Sequence, residues 1–519
     1  MEGTASLRSE LRRAALSRFL ATASAARTVE ITGLSPLRGG ALQENWGLDA
    51  RFCGGALDGE QRLVLRTSAA TGVAASLTRH QEFAVQKAVF AAGVQVPEPL
   101  FASEDAAVWG KPFFIMRRVD GIAAPDRITG DPTLDPALPA IAERLGRELA
   151  CIHTIQPPRS DLAFLTPYAD TGPIQQIARF RAYLDCHPTP RPVLEWGMRW
   201  LETHIPPPAA PVLCHHDFRT GNYLLNGTAL TAILDWEFAG WGDPHEDIGW
   251  FCCKGWRFAR LDREAGGIAD RTPFYRGYHR VAGGSIDPRR VRFWEVLASV
   301  RWAVIALEQT DRYMIGGERG LDLALTGRRA TECELEILML LDAGREPGLR
   351  PSYRRSSASP IGRPISPMRD LPSGAVLLAL ARDVLMGELI PLLPEECRPD
   401  ALLVAKCMAI AAREAEAPAE EGRAILREIE LLCGQGVDAV RRFAYDLRIG
   451  AFESSEPHDR AARAVLWRLT VAKLRQSNPE FLAVNGFDEP GGVVGRAKPC
   501  PSPVSGKRST PSPEAKSSS

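Results

Sequence analysis

Apolar positions recur along this chain with two periods, and the change of period divides it. Residues 7–20 interleave apolar side chains with Arg8, Glu10, Arg12, Arg13 and Arg18, which predicts an amphipathic helix. Leu63, Val64 and Leu65 follow Asp58-Gly59, a turn signal, and predict a short strand. A helical stretch covers 78–92, and Phe113 to Met116 form a second strand candidate closed by Asp120-Gly121. From Leu138 onward the helical period dominates. In 141–155, Leu145, Leu149 and Ile152 fall on one face. A β-rich portion therefore precedes a helix-rich one. Residues 375–392, 400–416 and 461–475 repeat the helical period, so the last block is predicted to be all-helical.

Composition adds boundaries. Residues 347–369 contain Pro347, Pro351, Pro360, Pro364 and Pro367 with several serines and arginines and no acid. Such a stretch cannot build a packed core, and it predicts a basic, solvated linker over 346–372. An anionic docking patch is the alternative. Residues 488–519, rich in Pro, Gly, Ser and Lys, predict a disordered tail. The expected organisation is a helix at 1–24, a mixed domain at 25–345, the linker, a helical domain at 373–487, and the tail. The 63 Lys and Arg balance the 63 Asp and Glu, which argues against a uniformly basic nucleic-acid binder. No apolar run reaches the roughly 18 residues of a membrane span; the run at 375–381 ends at Arg382 and Asp383. The N-terminus lacks the apolar core of a secretory signal, and Glu2 and Glu10 weigh against a mitochondrial presequence. Eleven cysteines without a Cys-x-x-Cys spacing suggest reduced, mostly buried thiols in a cytoplasmic protein.

The chemistry concentrates between Val212 and Trp250. An apolar run ends at His215, and Asp217 and Asn222 stand five apart. Tyr223 to Leu225 form a short strand. Asn226-Gly227 is a hairpin signal, because a positive φ costs these two residues little. Thr231 to Leu234 return as the second strand. A hairpin brings its outer ends together, so Asn222 and Asp235 are expected at one mouth, beside Asp217. Phosphoryl transfer needs such a set. One carboxylate orients or deprotonates the attacking hydroxyl, while an amide oxygen and a second carboxylate hold Mg²⁺, a hard ion that prefers oxygen. The plain alternative makes Asp217 and Asp235 turn or cap residues in a metal-free fold.

Continued by Gly242-Asp243-Pro244 and Asp247-Ile248-Gly249, this segment resembles the aminoglycoside phosphotransferase and choline kinase group, over about residues 25–340. The resemblance implies an α+β, protein-kinase-like fold: a small β-rich N-lobe and a helical C-lobe, here followed by a separate all-α domain. It implies ATP and Mg²⁺ as cofactors. It makes Asp217 the catalytic base, with His215 supporting the catalytic loop, and Asn222 and Asp235 the metal ligands. Glu237 would assist a second metal, and Asp247 would tie the loop to the following helix. His216 stands where the group usually has Gly. On the nucleotide side, 37–46 resembles the Gly-rich turn over the phosphates, with Gly39 and Gly40 letting backbone N–H groups approach. Arg66 stands where a phosphate-binding Lys is usual, and the two are not interchangeable. Glu82 would pair with Arg66; the alternative is an exposed ion pair of little energy. The segment 114–118, with Met116, resembles the hinge that meets adenine through backbone atoms.

For the acceptor, Trp256 and Arg257 are candidate substrate contacts, Arg257 for an anionic substrate, against a reading of Trp256, Phe258, Trp294 and Trp302 as core. The surrounding pattern resembles the branch whose kinase domain is sometimes fused to acyl-CoA dehydrogenases. That implies a hydroxyl on a small metabolite, a hydroxyacyl thioester or an amino-alcohol-like compound, rather than a polycationic aminoglycoside. The block at 373–487, through Ala411-Ala412-Arg413-Glu414, Leu447-Arg448-Ile449-Gly450 and 473–479, resembles a helical domain of unknown function that accompanies such kinases. It is a candidate docking surface for partner proteins. Arg413, Glu414 and Lys473 are either a site or, more simply, a solvated face or buried ion pairs. Two rival functions are a non-catalytic nucleotide-binding scaffold, or pseudokinase, and transfer of a nucleotidyl group. The P-loop, His-Glu-x-x-His and Gly-x-Ser-x-Gly motifs do not occur.

Overall fold

A computed structural model describes residues 2–37, 43–68, 76–258, 260–318, 320–342 and 373–487, with the backbone alone for 2–9. Gly39, Gly40, the 346–372 linker and the 488–519 tail lie outside the described residues. The chain forms two units. One takes Met1–Asp120 with Ala232–Phe238, the other Gly121–Thr231 with Ala239–Cys500, each over its described residues.

The first unit is built on a five-stranded antiparallel sheet of β1 (Thr28–Pro36), β2 (Gln43–Cys53), β3 (Gly59–Ser68), β4 (Pro99–Ser103) and β5 (Phe113–Arg117), in the order β1-β2-β3-β5-β4. Along β3 the side chains alternate between faces. Leu63 and Leu65 join a core with Val29, Leu48, Phe113 and Ile115, closed by Leu16 and Leu20 of the N-terminal helix Glu2–Ser24. Val64 turns to the other face, with Phe114 and Met116, where Phe83 of the helix Arg79–Ala91 packs. Leu16 and Leu20 are fully buried and stabilise the unit by about 1.5–3 kcal/mol each. The helix Arg79–Ala91 starts at a capping box. Thr78 Oγ1 accepts from the Gln81 backbone, and the Gln81 side chain accepts from the Thr78 backbone.

In the second unit, β6 (Val212–Cys214) pairs antiparallel with β9 (Gly240–Gly242). β7 (Tyr223–Asn226) with β8 (Ala229–Ile233) makes the hairpin. Gly227 in its turn has φ 57°, as the Asn-Gly signal requires. The helices Leu138–Ile152 and Arg271–Ala282 cross closely because both present glycine. A Cβ on Gly146 would stand 2.1 Å from the Phe274 carbonyl oxygen, and one on Gly277 1.9 Å from that of Glu143. The helices Pro288–Met314, Ala330–Asp342 and Glu456–Ser477 lie in one apolar core. It runs from Ile177 and Leu194 through Trp294 and Leu338 to Trp467 and Phe487. The block after residue 372 is thus all-helical and shares the core of the helical lobe. Arg463 and Trp467 of that block fasten it to Asp342, at 2.6 and 2.8 Å. Arg413 donates to the carbonyl oxygens of Gln476 and Ser477, Glu414 pairs with Arg328, and Lys473 approaches Glu334 at 3.7 Å. These three residues therefore act in separate packing contacts. Among the described residues no helix is long and apolar enough to cross a membrane. The ten described cysteines are all free, but only Cys214, Cys252, Cys253 and Cys333 are buried. This corrects the expectation of mostly buried thiols.

Candidate active site

The loop after β6 turns sharply at His216, which has φ 60°, a left-handed conformation that costs a non-glycine residue on the order of 1 kcal/mol. Asp247, fully buried on the helix Pro244–Cys252, holds that turn. Its Oδ2 accepts the His215 backbone N–H and its Oδ1 that of His216, both at 2.7 Å. His153, also buried, reaches Asp247 Oδ2 at 3.3 Å and the Tyr278 hydroxyl at 2.8 Å. Burial works against the Asp247 charge, but these partners outweigh it, first among them the His153 hydrogen bond and charge, and hold its pKa at about 2. The His216 imidazole faces Glu246 at 3.6 Å. Burial disfavours its charged form, yet Glu246 prevails and raises its pKa. The His216 ring also lies where a side chain on Gly242 would be: a Cβ there would stand 2.7 Å from Nε2.

So anchored, the loop presents Asp217. Oδ1 accepts the Trp250 indole N–H at 3.0 Å, and Oδ2 accepts the Asn222 amide at 2.7 Å. Arg219 Nε lies 3.1 and 3.2 Å from the two oxygens. Asn222 also donates to the Asp217 carbonyl, at 2.9 Å. With its nitrogen committed, its carbonyl oxygen is the atom left for a ligand. His215 is fully buried, and its Nδ1 accepts from the Asp217 backbone at 3.3 Å. Aromatic rings extend the site. The Arg219 guanidinium stacks 4.7 Å from Trp256, and that of Arg301 4.5 Å from Trp250. The Trp250 and Trp256 rings are 5.2 Å apart. The Trp256 indole nitrogen is buried and has no hydrogen-bond partner among the described residues.

Arg257 requires a correction. It is buried, and Nε and Nη2 both donate to the Cys252 carbonyl oxygen, at 3.0 and 2.7 Å, with Glu295 3.8 Å away. A guanidinium folded back on its own helix end does not face an anionic substrate. The cation beside Asp217 is Arg219, which the sequence reading passed over, as it did Trp250. An arginine two residues past the loop aspartate was the one available signal. Trp250 lies 33 residues on, and only the fold makes it a neighbour.

The second group of residues sits in the β-rich unit. Arg66 forms ion pairs with Glu82 at 2.9 Å and Asp235 at 2.8 Å, and its Nη1 reaches Asn45 at 3.5 Å. Arg66 and Glu82 are both buried, which excludes the exposed-pair alternative. Glu82 is also paired by Arg79. Desolvation opposes the Arg66 charge, but Glu82, Asp235 and Glu237 more than compensate and raise its pKa. Asp235 has φ 64° and is the most exposed acid of the cluster, at 31%. Glu237 is buried, and its Oε2 accepts from Gln43 at 2.7 Å and Ser76 at 2.8 Å. Burial raises its pKa. These contacts tie Glu237 into the unit. Met116, at the end of β5, is paired in register with Val64 and with Pro99, and its side chain lies in the apolar cluster on that face.

A family model described as phosphotransferase enzyme family (APH) matches residues 34–294. Among curated proteins, acyl-CoA dehydrogenase family member 10 of Mus musculus is 30% identical over 200 residues, which are 37% of this chain and 18% of that protein. Acyl-CoA dehydrogenase family member 11 of Gallus gallus is 34% identical over 176 residues, 32% and 22% of the respective lengths. The chain thus matches at most 22% of either relative. Among solved structures, a protein assigned as an aminoglycoside phosphotransferase from Ralstonia eutropha aligns with TM-score 0.47 and 23% identity, over 62% of this chain and 95% of that one. An aminoglycoside phosphotransferase in complex with ADP and hygromycin B gives 0.41 and 18%, over 62% and 98%.

Proposed function

Because the chain belongs to the phosphotransferase enzyme family, whose members transfer a phosphoryl group to an alcohol, we propose that it moves the γ-phosphoryl of ATP, with Mg²⁺, onto a hydroxyl of a small metabolite. The observation that carries this reading is the Asp217 carboxylate, fixed by Trp250, Asn222 and Arg219 on a loop anchored to Asp247. Asp217 orients the acceptor hydroxyl and takes its proton as the oxygen attacks in line. Arg219, whose Nε lies at that carboxylate, would meet the anionic oxygens of the group in transfer. Arg66 supplies the cation usually given by Lys on β3, positioned by Glu82. The donors fit a hard cation: Asn222 has its oxygen uncommitted and Asp235 is a partly exposed carboxylate. Asn222 and Asp235, each in its own unit, carry the oxygen donors expected of Mg²⁺ ligands, and Mg²⁺ when bound would neutralise charge on the phosphoryl group. Met116 and the β5 end are assigned to adenine, and Gly39 and Gly40 to the phosphates.

For the acceptor, Arg219 brings positive charge beside Asp217, while Trp250 and Trp256 are buried in an apolar cluster with Trp302 and act as its support, as the core reading of Trp256 expects. This favours a hydroxylated metabolite with an anionic group, such as a hydroxyacyl thioester, over an aminoglycoside. We place the protein in the cytoplasm. The scaffold reading draws on one observation, that the Arg66 guanidinium is already engaged by Glu82 and Asp235.

The test is thermal unfolding with ATP and Mg²⁺, with ATP and EDTA, with GTP and Mg²⁺, and with no addition, repeated for Asp235→Ala. A ligand at one hundred times its Kd stabilises by about 2.7 kcal/mol. The expected outcome is a shift that needs Mg²⁺ and is lost in Asp235→Ala, followed by phosphate transfer in a screen of hydroxylated metabolites. No shift with millimolar ATP or GTP would sink the reading. A shift with no transfer to any hydroxyl would favour the scaffold.

A further inference from the structure

The helix Pro244–Cys252 carries Trp250 and ends in a short turn, Lys254–Trp256, whose last residue stacks under Arg219. Three groups hold the first residue of that turn. Its backbone N–H is accepted by Glu336 Oε1 at 2.6 Å, and Glu336 is a buried carboxylate on the helix Ala330–Asp342. Its ammonium donates to Asn485 Oδ1 at 2.9 Å and lies against the Met339 sulfur. Asn485 follows the helix Pro479–Val484 of the C-terminal block. It is buried, and its own amide donates to the Phe481 carbonyl at 2.6 Å, which fixes the direction of its oxygen. The rest of the path is equally short. The Trp256 backbone N–H donates to the Cys253 carbonyl at 3.1 Å, the Trp256 ring packs 5.2 Å from that of Trp250, and Trp250 and Arg219 both hold Asp217. A lysine ammonium committed to a buried amide in another part of the chain restricts a side chain that otherwise keeps much rotamer freedom.

We propose that the C-terminal helical block positions the acceptor side of the candidate active site: Asn485, through Lys254, fixes the turn that carries Trp256 and, with it, the Trp250 and Arg219 contacts to Asp217. Asn485 and Lys254 are positioning residues, since neither touches the carboxylate. The role of this wall as the acceptor side rests on the phosphotransferase reading above. The contact path itself does not. The C-terminal block is then a working part of the site.

The experiment follows tryptophan indole N–H signals in ¹⁵N-tryptophan-labelled full-length protein, assigned by single Trp→Phe substitutions. Trp467, whose indole donates to Asp342 at 2.8 Å, serves as the internal marker that the block remains docked. Asn485→Ala is expected to shift the Trp256 and Trp250 signals and leave Trp467 in place. Asn485→Asp, which can still accept from the ammonium but no longer donates to Phe481, is expected to restore them in part. Lys254→Met makes the same cut from the other side without touching the block, and is expected to reproduce the alanine shifts. Trp250 and Trp256 signals unchanged in both Asn485→Ala and Lys254→Met, with Trp467 unmoved, would overturn the proposal. The readout uses neither nucleotide nor acceptor, so its failure is distinct from a failed nucleotide titration.

Discussion

Asp235 sits in the β-rich unit within a cluster that sets Arg66 and Arg79 against Glu82, Glu237 and Asp235. Asp217 sits in the helical unit, held by two neutral donors, Trp250 and Asn222, and by one arginine. The first arrangement is mostly buried charge, so each member is stable only while its partners are present. The second mixes neutral hydrogen bonds with a partly exposed cation, and losing one member leaves no buried ion unpaired. Stability should therefore concentrate around Arg66, and chemistry around Asp217.

The comparison breaks most visibly at Arg66. Arg66→Ala strands the buried Glu82 with Arg79 alone and is expected to cost about 3–5 kcal/mol, read from urea unfolding. If the loss were under about 1 kcal/mol, the cluster would be no more than a surface-type pair. Next in size is the acid response of the Asp247 anchor. Its folded pKa is about 2 against an ordinary 3.8. A carboxylate with a depressed pKa stabilises the fold above the ordinary value and stops doing so as the pH falls through the folded one. The stability gap between wild type and Asp247→Asn should thus narrow by about 2 kcal/mol between pH 5 and pH 2. A gap independent of pH would remove the charge from the account. Smallest in stability is Asp217→Asn, which keeps an oxygen for Trp250 and Arg219 but turns an amide toward the Asn222 donor, and should cost about 1 kcal/mol. The same change should lower phosphoryl transfer by about 10²–10⁴-fold. Loss of fold without loss of turnover per folded molecule would reverse the division drawn above.

What could be read from the sequence follows the range of the interactions. The hairpin was legible because Asn-Gly is a local turn signal. β3 and β5 were legible in part, since Leu63 to Leu65 and Phe113 to Met116 are dense apolar runs. β1 and β2 were not predicted as strands: Gly33 and Gly47 interrupt their alternation, and only pairing of β1 with β2 and of β2 with β3 completes them. The helices of the C-terminal block were legible from period alone, but the core they share was not. Trp250 at Asp217, and Arg257 folded back on Cys252, depend on where the helix Pro244–Cys252 ends. No sequence period states that.

The apolar core common to the helical lobe and the C-terminal block bears on how the chain is made. The helix Ala330–Asp342 is synthesised more than a hundred residues before Glu456–Ser477, which covers it. At roughly 5–20 residues per second, a ribosome needs on the order of ten seconds to deliver the cover. Throughout that interval Leu335, Ile337 and Leu338 belong to a nascent chain whose seal has not been translated. The motif-bearing segment is complete well before the block that shares the core of its lobe.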